Sequence, residues 1–281
     1  MRLYREFTDQ ESLDAAYDPS RTAADAAGVM AAWQTRSERA VAQLDGLLDT
    51  RYGPTLAEHV DIYPAGNGAP VHLFVHGGYW RRFGARDFAW VAEPLVDRGV
   101  TAVIVNYALC PTVSLLEIVR QVRAAIAWCH RRAPSFGGDP SRLSISGHSA
   151  GGHLVAMALA TDWPGDYGLP ATLVRRALAL SGLFDLRPFP YTYLQPALQL
   201  TTAEVLKASP IDLAPVTVTP FTVAVGALES SEFRRQSSDL FTAWRQFGMA
   251  CHYVELAGAD HFTALDRLFA RESPLLDETL G

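Results

Sequence analysis

From residue 71 onward, short strand-like runs rich in apolar residues alternate with longer runs of helical spacing. The short runs, at 71–75, 100–106, 142–146, 177–181, 221–225 and 251–256, are rich in Val, Leu, Ile, Ala and Phe. Short runs of that length and composition, bounded by turn signals, suit strands of a buried sheet. The intervening stretches 86–98, 114–132, 150–160 and 231–247, with another from 262, carry the helical period. Strand–helix alternation of this kind predicts an α/β fold, a mostly parallel central sheet with helices on both faces. Sites in such sheets lie at the carboxyl ends of the strands.

The ends of this pattern are less regular. Residues 56–63 alternate and stop at Pro64, which reads as an early strand, and the Pro- and Gly-dense 64–70 reads as a turn. Residues 1–50 form a helical N-terminal arm, with helical signals at 22–32 and 37–48, packed on the main domain. The interval 183–209 breaks the rhythm with Phe184, Pro188, Phe189, Pro190, Tyr191, Tyr193 and Pro196. A plain loop of that length is uncommon in a compact domain, so a small cap or lid insertion is expected there.

Composition narrows the function classes. A 281-residue chain that is 49% hydrophobic and 19% charged suits one large α/β domain. A net charge of −6 without a long basic run disfavours nucleic acid as a partner. No uncharged apolar stretch approaches a membrane span. Cys110, Cys129 and Cys251 lack metal-like spacing and read as buried or free thiols of a reducing compartment. The segment 1–7 is charged where a signal peptide needs an apolar run. The expectation is a cytoplasmic protein with a small-molecule substrate, no cofactor and no metal; a homodimer is left open.

Gly147-His148-Ser149-Ala150-Gly151 is a G-x-S-x-G sequence between a predicted strand and an Ala-rich predicted helix. That setting gives the pattern mechanical meaning: a sharp strand-to-helix turn raises the Ser149 hydroxyl above the sheet edge. It also places the next backbone N–H groups at a helix N-terminus, where negative charge is stabilised. Upstream, the strand 71–75 runs into His76-Gly77-Gly78-Tyr79-Trp80. In serine hydrolases of the α/β class such a loop supplies half of an oxyanion hole, and the residue after the nucleophile supplies the rest. The candidate donors are Gly78, Tyr79 and Ala150.

A serine nucleophile needs a base, and the base an orienting acid. His261 follows the last strand in a loop on the Ser149 edge, in the chain order Ser…acid…His. Of the other histidines, 59, 72, 130, 148, 153 and 252 lie in or beside strands and helices and read as structural. For the acid, Glu229 after the strand 221–225 is favoured over Asp185, with Asp260 third. Aromatic walls are expected from Tyr79, Trp80 and Phe184, with Phe189, Tyr191 and Tyr193 in the lid. Arg81, Arg82 and Arg86 either clamp a substrate carboxylate or form a solvated helix start.

The HGGYW pentapeptide, the GHSAGG elbow, the Gly226–Ser237 run, Leu183–Pro188 and Asp260-His261-Phe262 together resemble the kynurenine formamidase (arylformamidase) branch of the α/β-hydrolases, over roughly residues 55 to 270. HGGYW is fairly specific within the superfamily, whereas GHSAGG is shared with many esterases. The resemblance implies a triad of Ser149, Glu229 and His261, acting on an aryl formamide such as N-formylkynurenine. The chain departs from the pattern at Glu229, where animal members typically carry Asp. Members of this branch also cleave simple aryl esters, so a short-chain carboxylesterase is the alternative. A non-catalytic binding protein of the same fold normally lacks a triad member or a clear oxyanion loop, and this chain has candidates for both.

Overall fold

The computed structural model describes residues 2–281. Eight strands form one sheet: β1 Leu47–Arg51, β2 His59–Tyr63, β3 Ala69–Val75, β4 Thr101–Val105, β5 Gly138–His148, β6 Arg176–Leu180, β7 Phe221–Gly226 and β8 Cys251–Leu256. Their spatial order is β1-β2-β4-β3-β5-β6-β7-β8. The two hydrogen-bonded pairs made by β2 are antiparallel, and every pair from β4 onward is parallel.

Side-chain alternation along β3 sorts the core onto two faces. Val71, Leu73 and Val75 pack with the helices Leu115–Arg132 and Ala150–Leu159 on one side. Phe74 packs with Trp33, Phe88, Trp90, Leu265 and Phe269 on the other. In Leu115–Arg132 the buried positions 115, 118, 119, 122, 125, 126 and 129 recur at helical spacing, giving one apolar stripe toward the sheet. Ser114 caps its first turn by accepting from the Glu117 amide, and His130, Arg131 and Arg132 complement the carbonyl end.

Three parts of the sequence reading are corrected. The expected helices at 22–32 and 37–48 are one continuous helix, Ala26–Gln43, started by the Asp25 side chain on the Gly28 amide. Residues 47–51 form edge strand β1, where the helical arm was expected to run on to residue 50, and its burial alternates exposed and half-buried. With Asp49 at φ 53° and an irregular register against β2, β1 carries little apolar signal to announce it. The expected helix at 86–98 is a 3-10 turn, Ala85–Val91, running into a short α-helix, Ala92–Val96.

The irregular interval 183–209 holds a 3-10 turn at Phe189–Tyr191 and short helices Gln195–Leu198 and Thr202–Lys207. The N-terminal arm is tied down by side chains. Tyr4 Oη donates to Asp185 Oδ2 at 2.7 Å, Tyr17 Oη to Glu232 Oε2 at 2.6 Å, and Ser230 Oγ to the Ala16 carbonyl at 2.6 Å. Among the described residues no helix is long and apolar enough to cross a membrane.

Candidate active site

β5 ends at His148, and the chain turns through Ser149 into the helix Ala150–Leu159. Ser149 sits at φ 57°, ψ −120°, a conformation that costs a non-glycine residue about 1–3 kcal/mol and persists only where the surroundings enforce it. Two glycines do so. A Cβ on Gly147 would lie 2.3 Å from the Gly151 carbonyl oxygen, and one on Gly151 would lie 1.9 Å from the Val75 carbonyl oxygen. The elbow therefore packs backbone against backbone with β3, and the Ser149 amide is anchored on the Leu180 carbonyl at 2.8 Å.

The loop after β3 is fixed by His76. Its ring is buried and stacked between Tyr107, at 4.2 Å between centroids, and Phe88, at 5.6 Å. Burial holds its pKa down to about 4, so the imidazole is neutral. Because its Nδ1 lies 2.8 Å from the Gly77 carbonyl, which only accepts, Nδ1 carries the proton. In a trans peptide the C=O and the following N–H point opposite ways. Holding the Gly77 carbonyl toward His76 therefore turns the Gly78 N–H to the other side. Tyr107 Oη clamps the preceding carbonyl, that of His76, at 2.7 Å.

Gly78, Tyr79 and Trp80 all have positive φ, at 106°, 52° and 56°. The amides of Gly78 and Tyr79 donate to no protein acceptor among the described residues. Ala150, as the first helical residue, has no intrahelical acceptor for its N–H.

His261 Nδ1 donates to Glu229 Oε2 at 2.7 Å, with both side chains almost wholly buried. Glu229 Oε1 accepts from Ser181 Oγ at 2.5 Å and from the Gly226 amide at 2.7 Å. Three donors satisfy this buried carboxylate, and its hold on Nδ1 leaves Nε2 of His261 as the ring's basic nitrogen. His148 Nε2 donates to the His261 carbonyl at 2.9 Å, and the two rings lie 4.5 Å apart. Burial first, and the neighbouring imidazole second, push His148 well below the usual histidine range, so it serves as a neutral donor.

Ser149 and His261 line one cleft of about 760 Å³, counted with its open mouth. A buried hydroxyl, an imidazole oriented by a carboxylate and unpaired amides around one cleft are the parts required for acyl transfer.

The other expected residues separate clearly. Asp185 is far from this arrangement in bonding: its Oδ1 accepts from Arg187 Nε at 2.7 Å and its Oδ2 from Tyr4. Burial raises its pKa, but those hydrogen bonds and the Arg187 charge outweigh it and hold the carboxyl below the usual range. Asp260 caps the helix Thr263–Leu268 through the amides of Phe262 and Thr263. Arg86 pairs with Asp61 and Asp49. Tyr79, Arg81 and Arg82 line the cleft. Trp80 and Phe184 do not: both are fully buried, Trp80 edge-on to His153 at 5.0 Å and Phe184 beside Gly182. The expectation that they form substrate walls is corrected on that ground. From 183–209 only Tyr193 reaches the cleft, while Phe189 is core and Tyr191 is exposed.

The walls come instead from Trp33 and Met30 on the arm helix, from Asp18, Pro19 and Ser20 just before it, and from Phe83, Phe88 and Phe262. Trp33 lies 6.4 Å from the His148 ring and 6.1 Å from Phe262. Its indole donates to Asp266 at 2.9 Å. Nothing in the local pattern around Trp33 marks it as a site residue; only the docking of the arm brings it there. Ser181 and His148 were likewise silent, because their roles rest on partners 48 and 113 residues away.

The BD-FAE family model matches residues 60–163. The chain is 31% identical to the kynurenine formamidase of Danio rerio over 273 residues, covering 92% of this chain and 91% of that one. It is 32% identical to the kynurenine formamidase of Salmo salar, covering 83% and 80%. It is also 30% identical to the esterase LipQ of Mycobacterium tuberculosis, over 76% of this chain and 56% of LipQ. Among solved structures, one from Silicibacter sp., described as a candidate thioesterase, superposes with a TM-score of 0.85 at 27% identity, covering 96% and 99%. The thermostable carboxylesterase EstE1 shares the fold, with a TM-score of 0.67 at 19% identity, covering 90% and 93%.

Proposed function

The chain belongs to the kynurenine formamidase family of α/β-hydrolases, and we propose that it hydrolyses aryl formamides such as N-formylkynurenine through a formyl-enzyme on Ser149. The observation that carries this reading is the Glu229–His261 contact at 2.7 Å in the cleft that holds the strained Ser149. His261 Nε2 takes the Ser149 Oγ proton as Oγ bonds to the formyl carbon. The oxygen of the tetrahedral adduct gathers negative charge and is stabilised by the N–H groups of Gly78 and Ala150, with Tyr79 assisting. The C–N bond then breaks, and the proton on His261 goes to the departing aryl amine. Water enters, gives a proton to His261, attacks the formyl ester and releases formate, and His261 returns its proton to Ser149.

Throughout, Glu229 holds the Nδ1–H tautomer and offsets the imidazolium charge without taking a proton itself. The similarity to LipQ and EstE1 supports a second reading, a carboxylesterase for short acyl aryl esters, because the same steps release a phenol or alcohol. The test is steady-state kinetics of the purified protein on N-formylkynurenine, with formate release measured beside cleavage of phenyl acetate. A kcat/KM for the formamide at or above that for the ester is expected. Ester cleavage without formate release rejects the formamidase reading in favour of the esterase.

A further inference from the structure

The mouth of the cleft carries charge that the hydrolytic steps do not use. Arg81 and Arg82 line it beside Ser149 and His261, and neither forms an ion pair among the described residues. Arg81 is the more constrained. Its Nε is buried without a hydrogen-bond partner, and its guanidinium lies 5.8 Å over the Tyr193 ring. Arg82 is exposed and lies 5.3 Å over Phe83. Asp18 lines the same mouth from the N-terminal arm. Its Oδ1 accepts from the amide and hydroxyl of Ser20, and its Oδ2 lies 3.7 Å from Arg21 Nε. Asp18 forms no ion pair with Arg81 or Arg82, its ion-pair partner being the neighbouring Arg21, so both arginines line the cleft without a carboxylate partner.

Tyr193 marks where the three charges converge. Burial and the nearby Asp18 raise its phenol to about 12, against the lowering effect of Arg81 and Arg82. It therefore stays neutral with its hydroxyl 3.4 Å from the Tyr17 carbonyl oxygen. An aromatic wall leads inward from this mouth through Phe83, Phe88 and Trp33 toward Ser149.

We propose that this mouth is a subsite for a zwitterionic amino-acid group on the aryl leaving amine, with Arg81 and Arg82 taking its carboxylate and Asp18 its ammonium. A planar guanidinium fork matches a carboxylate in two parallel hydrogen bonds, and the stranded Nε of Arg81 gains the acceptor it lacks. Desolvating an unpaired arginine in a chain of net charge −6 is recovered when an anionic group arrives with its own countercharge placed for Asp18. Arg81, Arg82 and Asp18 are thus specificity-determining residues that touch the part of the substrate remote from the scissile bond. The assignment rests on the proposed hydrolytic role of the cleft.

The experiment compares kcat/KM for N-formyl-L-kynurenine with three relatives: the analogue lacking its carboxylate, the analogue lacking its amino group, and the neutral aryl formamide 2-formamidoacetophenone. The wild-type protein is expected to prefer the zwitterion over the neutral compound by about tenfold or more, the scale of a charge-assisted contact. Arg81→Gln and Arg82→Gln should each shrink the preference for the carboxylate, chiefly through KM, and Arg81→Lys should recover part of it. Asp18→Asn should shrink the preference for the ammonium only. Should Arg81→Gln fail to fold, the exposed Arg82→Gln decides. Formamide turnover with no charge preference, or a preference that survives all three substitutions, overturns the subsite while leaving the formamidase reading intact. If formamides are not cleaved at all, O-acetyl-L-tyrosine against phenyl acetate makes the same comparison on esters. A charge preference lost with Arg81 then sustains the subsite without the formamidase reading, and its absence overturns the subsite.

Discussion

Glu229 reaches His261 across 32 residues of sequence, its Oε2 lying 2.7 Å from Nδ1, while its other oxygen is held by Ser181 and the Gly226 amide. The turn that follows β7 sets this reach. The Glu229 amide donates back to the Gly226 carbonyl at 3.1 Å, folding the chain so that the side chain returns over the strand end. A buried carboxylate with three donors has one orientation, and it passes that orientation to the imidazole.

Removing the nucleophile or the base tests the proposed chemistry most directly. Ser149→Ala and His261→Ala should each lower kcat by roughly four to six orders of magnitude, because an unactivated hydroxyl is a poor nucleophile. The double variant should cost little more than either alone, since the residues act as a unit. Near-normal turnover by Ser149→Ala, measured after active-site titration of the wild type, would falsify the acyl-enzyme route.

Glu229→Gln and Asp185→Asn should separate catalysis from stability. Glu229→Gln should lower kcat by roughly 10⁴-fold, the scale of losing the acid that fixes a triad tautomer. Asp185→Asn should leave the kcat pH profile in place and lower stability by about 1–3 kcal/mol, since it weakens part-buried hydrogen bonds from Arg187 and Tyr4. The Asp185 pKa is lowered in the fold, so its contribution is present above the unfolded carboxylate range and is lost as pH falls through the folded value. Urea midpoints at neutral and acid pH check both: the wild type and the variant should converge on acidification. A variant more damaging to kcat at Asp185 than at Glu229 reverses the assignment.

Buried neutral histidines should make the fold acid-sensitive. Burial lowers His76 and His153 to about 4 and His72 to about 3, against an ordinary value near 6.5. Between those limits the unfolded chain binds protons that the folded one refuses, so stability falls as pH drops from about 6.5 toward 4. Each such group contributes a slope of up to about 1.4 kcal/mol per pH unit. His153→Phe removes one of them and should flatten the pH dependence of the urea midpoint by about one proton. An unchanged slope argues that His153 charges freely in the fold.

The parts of this molecule that could be read from its sequence are those encoded locally. The inner strands announce themselves because burial on both faces favours short runs rich in apolar and β-branched residues, as in Thr101–Val105, where all five residues are buried. The elbow is equally local: Gly147 and Gly151 are required within four positions of each other by two backbone approaches. Edge strand β1 escapes because an edge needs no such run. Trp80 and Phe184 mislead because an aromatic residue beside a site and an aromatic residue in the core have the same local pattern. Trp33 is missed for the complementary reason, since its place in the cleft depends on how the N-terminal arm docks.

That exchange of roles has a measurable signature. Trp33→Leu should raise KM for aryl substrates by roughly tenfold, since an aromatic wall contact is worth about 0.5–1.5 kcal/mol beyond its buried area. Phe184→Leu should leave KM near the wild-type value and lower stability by about 1–3 kcal/mol, as for other losses of buried volume. Steady-state kinetics paired with thermal melts distinguish them. A KM effect at Phe184 in place of Trp33 returns the wall to the 183–209 interval.

The acyl side of the cleft decides between the two hydrolytic readings. Ser149 and His261 are each only 3% exposed, and Gly77 abuts the elbow so closely that a Cβ there would sit 3.0 Å from Ser149 Cβ and 2.8 Å from the His148 carbonyl oxygen. A carbonyl carbon bonded to Ser149, with its oxygen on the Gly78 and Ala150 amides, therefore has backbone on one side and the imidazole on another. The proposed reading places a small acyl group against that backbone and the leaving group toward the open mouth of the cleft. On a common aryl amine or phenol, formyl should outrun acetyl, and acetyl should outrun butyryl, each added methylene costing about 1–3 kcal/mol in a tight pocket. Measuring kcat/KM along that series sets the acyl preference without reference to the leaving group. A flat or rising trend with chain length identifies a short-chain esterase and removes the formyl preference on which the formamidase reading depends.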